Sequence, residues 1–309
     1  MQDNKVNVNG ERPIAWTGAE VFLSILLAWL FWPVAVFAVV KGIGVEHWYY
    51  GDDAAEMAKR IGLWVGTLAA PFQVLTYPLL FSALRPTTLE QLGLTTRRFG
   101  SNLLGGIGVL LLLAPLVFGI WQLIRWLQGG PGERTIEQHD LEIIAPYLYP
   151  SEWVMLVFTA TIAAPLHEEL TFRGVLQPWL ASRRWGGHVA MLGAFVLAVV
   201  FRWERLLAAW PEDISSFVEA ATPALFVLAV LPLYLAVWAT RRAAADPAIF
   251  ATSLLFGYIH SAWPTPIPLF VLALGLGVLA QRKRSLVGPI VIHSLFNGFS
   301  CVLLLLERF

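Results

Sequence analysis

Charge is what this 309-residue sequence has least of: Asp, Glu, Lys and Arg make up 14% of it, against roughly a quarter in ordinary soluble domains. That scarcity excludes a soluble globular enzyme. The 57% of hydrophobic residues excludes a disordered chain. Neither sign is in excess, with 21 Lys plus Arg and 21 Asp plus Glu. No net positive field draws in phosphate, so nucleic acid is not an expected partner. Cysteine occurs once, at Cys301. One thiol closes no internal disulfide, and in an apolar run it reads as a small buried hydrophobe. Phosphate-binding and dinucleotide-binding loops are missing, and no G-x-S-x-G setting surrounds Ser294. His167 and Glu168 open an H-E-x-x-H pattern, but position 171 is Thr, so the helical zinc-protease motif fails.

In place of charge there are long apolar runs. Residues 21–40 are long enough to cross a bilayer and too long for a signal-peptide core, so they read as an uncleaved first span. Further runs lie at 61–84, 103–124, 153–177, 189–201, 223–240, 248–260, 267–280 and 286–306. Backbone groups in lipid must be satisfied within their own segment, so each run is expected to be a helix. The expected fold is therefore all-α, a polytopic transmembrane bundle of about eight or nine spans. Residues 189–201 are too short to cross unless they re-enter or continue past Arg202. Pro71 and Pro78 predict a kink in the second span. Gly62 and Gly66 form a small-xxx-small pair on it, a candidate packing face. The loop 128–150, rich in Gly, Pro and charge, reads as exposed. Tryptophans near run ends, such as Trp48, Trp126 and Trp185, suit an interfacial belt. With nine spans, more Lys and Arg fall on the side of the N-terminus, which places that end in the cytoplasm.

The division expected from these runs is a polar tail over 1–20, helices and loops over 21–150, and a membrane domain over 151–309. The ionisable groups left inside spans are functional candidates by default, because burying them in lipid is costly. They fall in three places. Glu169 and Arg173 are spaced i, i+4 and face each other, while Glu168 lies about 100° around the helix and is left without a full-time cation. Phe256 and His260 repeat the spacing, as do His293 and Asn297. Together these side chains offer a carboxylate base, two imidazoles, an amide donor and a guanidinium. That inventory suits attack of water on a carbonyl. Packing ion pairs, a solvated His260 and inter-helix glue from His293 and Asn297 are the plain alternatives for each stripe alone. His47, His139 and His188 fall in expected loops, and His167 reads as structural.

The ordered set Glu168-Glu169-x-x-x-Arg173, Phe256-x-x-x-His260 and His293-x-x-x-Asn297 resembles the signature of the CPBP (Abi) intramembrane proteases. That family includes type II CAAX prenyl endopeptidases and bacteriocin-processing or immunity proteins. The resemblance covers roughly the second half of the chain. It implies a multi-pass endopeptidase acting on a membrane-anchored protein or peptide, prenylated or leader-bearing, with membrane lipid around it. It implies that Glu168 activates water with His260 as partner, that Glu169 and Arg173 support the site, and that His293 and Asn297 polarise the scissile carbonyl. A metal-free mechanism is favoured, with zinc on Glu168, His260 and His293 as the second choice. The chain departs from the family pattern in a long segment near 191–245 between the first two motifs, which reads as an insertion with two apolar segments and an acidic loop over 204–219. A proton-coupled transporter and a non-catalytic scaffold or immunity protein are the rival readings.

Overall fold

In the computed structural model, residues 16–49, 54–85, 89–127, 148–210, 213–240, 246–260 and 262–308 are described. His139 and nearly all of the 128–150 loop and the N-terminal tail lie outside them. Among the described residues every regular element is a helix. They are α1 (Gly18–Gly42), α2 (Ala54–Leu84), α3 (Phe99–Leu127), α4 (150–181), α5 (Gly186–Val200), α6 (Trp203–Ala209), α7 (Ile214–Thr240), α8 (Asp246–Tyr258), α9 (Pro266–Lys283) and α10 (Val287–Arg308).

Six of these helices are long and apolar enough to cross a membrane, and α5 with α6, bent by 56°, make a seventh if the pair counts as one broken span. On α3, Leu104, Leu111 and Leu112 are 70–75% exposed. An outward face of leucine on so long a helix is built for lipid. This agrees roughly with the eight or nine spans expected, and two of the expected stretches are not counted among them. The stretch 248–260 forms a helix of only 13 residues, α8. The motif-bearing stretch forms α4, which π turns interrupt. The expected acidic loop over 204–219 is instead mostly helical, split between α6 and the start of α7. His188 likewise lies in α5 and not in a loop.

Proline occurs in two settings. Pro71 and Pro78 both sit inside α2, which runs unbroken from Ala54 to Leu84. Three other prolines each follow a π turn that ends two residues before them: Leu26–Phe31 before Pro33, Thr159–Ala163 before Pro165, and Leu170–Leu176 before Pro178. Proline lacks an N–H and its ring collides with the carbonyl four residues back. A π turn answers both problems by adding one residue to the turn.

The chain divides into two compact units. One comprises Ala15–Leu110, Gln138–Val175 and Leu279–Phe309. In it, α1 starts with a capping box: Thr17 Oγ1 accepts from the Glu20 backbone, and Glu20 returns a bond to Thr17 N. Glu20 also accepts from Arg85 Nε at 2.7 Å. The start of α4 is fixed by Glu152, which accepts from Tyr149 N at 2.8 Å and forms a buried ion pair with Arg60. Helices α3 and α10 meet at bare backbone, where a Cβ on Gly106 would sit 2.9 Å from Gly288 O. The Gly62 and Gly66 pair makes no such approach: a Cβ on Gly62 would meet nothing within 4 Å, and one on Gly66 only Thr159 at 3.9 Å. Gly106→Val is accordingly expected to destabilise the protein by about 1–3 kcal/mol through overpacking. Gly62→Val should be nearly neutral, and thermal unfolding in detergent compares the two.

The described residues of the other unit fall within 111–127 and 176–278. Its core packs the small residues Ala190, Ala194 and Ala198 of α5 against Ala251 and Leu254 of α8. Tyr234 and Tyr258 are buried there with satisfied hydroxyls: Tyr234 shares a bond of 2.9 Å with His188 Nδ1, and Tyr258 donates to Pro223 O. Asp213 caps α7, accepting from the Ser216 and Ser215 hydroxyls and from Ser215 N. Those bonds, Ser216 first, hold its carboxyl down at about 2. The cap is therefore intact above the ordinary carboxylate range and weakens only as pH falls towards that value.

Candidate active site

The first motif lies on the middle of α4, in the short α-helical stretch Ala164–Glu169 and the π turn Leu170–Leu176 that follows it. Glu169 is fully buried. Its Oε1 accepts from Arg173 Nη1 at 2.9 Å and lies 3.0 Å from His293 Nδ1 on α10. A carboxylate oxygen that receives a guanidinium is an acceptor, so His293 donates from Nδ1. The other ring nitrogen, Nε2, is then directed at Glu168, 3.9 Å from its Oε2. That is too long for a direct hydrogen bond. Glu168 Oε2 and Glu169 Oε2 are both buried and accept no hydrogen bond. The two neighbouring acids are thus held unequally. Glu169 is gripped by a cation and an imidazole, whereas Glu168 has a partly open side chain and one idle buried oxygen.

Asn297 lies one turn beyond His293 on α10 and donates from Nδ2 to Ala160 O at 2.8 Å. The backbone explains why that carbonyl needs a donor. In an α-helix Ala160 O would receive Ala164 N–H, but in the π turn Ala164 N–H goes to Thr159 O. The next donor in π register is residue 165, which is proline and has none. Asn297 supplies the missing hydrogen bond to a carbonyl that is costly to leave unpaired. One N–H of its amide is committed to this bond.

These five residues, Glu168, Glu169, Arg173, His293 and Asn297, come together within one unit. His260 belongs to the other unit, just past the end of α8. Its ring lies 5.2 Å from that of Phe256, and its Nδ1 lies 3.1 Å from Phe256 O. His167, adjacent to Glu168, is buried between Trp29 and Tyr77, with ring centroids 4.6 and 6.1 Å away. Trp29, Tyr77 and Thr171 on this side of α4 went unmarked in the sequence. The available signal was that Tyr and Trp placed inside spans need partners for their polar tips.

A zinc ion would need three donors. Among the described residues no group of three His, Cys, Asp or Glu side chains is arranged to hold a metal. Of the donors expected for zinc, Glu168 and His293 lie in one unit and His260 in the other.

A multi-pass helical membrane protein with a carboxylate and imidazole centre buried on its helices defines the class. Within that class, the family described as Type II CAAX prenyl endopeptidase Rce1-like matches residues 150–245 and 226–299. The chain belongs to this family and is an intramembrane protease of the CAAX type, one of the CPBP group. The two matched stretches overlap over 226–245, inside the segment set apart as an insertion. No curated protein and no solved structure matches the chain.

Proposed function

We propose that the protein cleaves a peptide bond of a membrane-associated protein or peptide, prenylated of the CAAX type or leader-bearing, by means of water activated by Glu168. The N-terminus faces the cytoplasm, as does the site. The observation that carries this reading is the unequal hold on the two adjacent acids. A general base needs an oxygen that is not already satisfied, and Glu168 Oε2 is one. The 3.9 Å between it and His293 Nε2 is a span that one water can bridge.

In the proposed reaction Glu168 takes a proton from water as the oxygen adds to the scissile carbonyl carbon. The developing oxyanion accepts from the second N–H of Asn297 and from His293. To donate from Nε2, His293 must carry a second proton. Glu169 on its Nδ1 is the group that stabilises the resulting imidazolium, and Arg173 holds Glu169 in place. His260 assists Glu168 in passing the proton to the leaving amine, which completes hydrolysis.

The test is cleavage of a membrane-anchored peptide by the purified protein and by Glu168→Ala, His260→Ala and His293→Ala. Each variant is expected to lose activity by about 100-fold or more, and unchanged cleavage in all three overturns the reading. Chelation with phenanthroline is expected to leave the rate unchanged. A loss restored by added zinc would replace the metal-free mechanism with the metal-dependent one.

A further inference from the structure

The family match begins at residue 150, yet the helix carrying Glu168 is held on one side by residues from α1 and α2, far upstream of it. Thr171, on the π turn between Glu169 and Arg173, is the meeting point. Its hydroxyl donates to His167 O at 2.8 Å. Trp29 Nε1 lies 3.1 Å from the same oxygen, and an indole nitrogen can only donate. Tyr77 Oη is also bonded to this oxygen. A hydroxyl has one proton and two lone pairs. With the proton spent on His167 O and one lone pair taken by Trp29, Tyr77 must be a donor too. The Thr171 hydroxyl is therefore fully used, with all three partners in fixed roles.

We propose that Tyr77 and Trp29 are positioning residues for the reaction, acting through Thr171 to set the rotation of the turn that carries Glu168. Positions 167 and 171 share one face of α4, while 169 and 173 lie on the far side, about 200° away. His293 grips the far face through Glu169, and Trp29 and Tyr77 grip the near face through Thr171 and by flanking His167. Glu168 sits between the two grips. A π turn is less well held by its own ladder than an α-helix, so outside contacts decide how it turns. Trp29 itself projects from a π turn of α1. The two helices also share a second indole to hydroxyl bond, from Trp32 Nε1 to Thr76 Oγ1 at 2.8 Å, and both of its ends belong to α1 and α2. It joins the same helices without touching the motif and serves as the internal control.

This proposal rests on Glu168 as the base, and its test separates the two. In the full-length protein, Tyr77→Phe and Thr171→Val remove one hydroxyl each with little change of shape. Each is expected to lower kcat for the membrane-anchored peptide about tenfold with KM unchanged, in line with one buried hydrogen bond. The double variant should be no worse than Thr171→Val, because Tyr77 acts through that oxygen. Trp32→Phe, which breaks the control bond, should keep wild-type kcat. Peptide-level hydrogen exchange over 164–176 gives a readout without activity: it should rise about tenfold in Tyr77→Phe and not in Trp32→Phe. Equal effects of Tyr77→Phe and Trp32→Phe on kcat and on exchange would overturn the proposal, as would additive losses in the double variant. If Glu168→Ala stays active while exchange behaves as expected, the base assignment has failed and the grip on the turn has not.

Discussion

Replacing Glu168 by glutamine is expected to abolish cleavage while leaving the protein folded, whereas the same replacement at Glu169 is expected to destroy both. The two residues are adjacent and chemically identical, so the contrast isolates their surroundings. Glu168 holds no direct salt bridge to a permanent cation, and glutamine keeps its volume. The loss is that of a general base, about 100- to 10,000-fold in kcat. Glu169 is fully buried and is the counter-ion of Arg173, itself 2% exposed in its side chain. Neutralising one half of such a buried pair is worth about 3–5 kcal/mol of stability. It also turns one carboxylate oxygen into an NH2 donor, which weakens the hold on Arg173 and the His293 ring together. Activity and thermal unfolding in the same detergent decide the matter. Equal stability of Glu168→Gln and Glu169→Gln, or substantial activity in the former, would contradict the assignment of roles.

The second large effect is expected at the start of α4. Arg60 and Glu152 are both buried, the guanidinium lies 4.7 Å from the centre of the Tyr149 ring, and Glu152 also caps Tyr149 N. Arg60→Leu or Glu152→Leu alone should cost about 3–5 kcal/mol, since each removes the opposite charge from a buried ion pair. The pair replaced together by Arg60→Met and Glu152→Leu should be far milder than the sum, because no orphan charge remains. The remaining loss is the capping bond to Tyr149 N, about 1 kcal/mol. Unfolding midpoints of the three variants check this, and a double variant as unstable as the two singles combined would show that the two residues do not act as a pair.

The fold class was plain in the sequence because it follows from one physical demand, that backbone in lipid be helical. The spacing of Glu169 and Arg173 placed them together for the same reason that any i, i+4 pair meets, and the structure has them at 2.9 Å. The contact between Glu169 and His293 spans 124 positions, and no local rule of spacing reaches that far. The span count came out roughly right, and it was least direct where length and composition part company: residues 248–260 are apolar but yield a helix of 13 residues. Pro71 and Pro165 look alike in sequence, yet the first lies within an unbroken α-helix and the second follows a π turn. The bond from Asn297 to Ala160 O could not be foreseen without knowing that a π turn had left that carbonyl idle.

Those π turns bear on how related sequences should be lined up. Each one advances the phase of everything after it by about 100°, the angle of a single residue. Glu168 is aimed where it is because one extra residue precedes it, and Pro165 keeps that residue from being absorbed back into an α-helix. Proline and extra residue are therefore expected to be kept or lost together. A relative that loses the proline should also lose one position between it and the upstream helix, or else carry its acidic pair one place earlier, to keep the carboxylate pointing the same way. In such a comparison a one-residue gap near 159–165 accompanied by a vanished proline is not noise but a matched pair of changes that preserves the direction of the base.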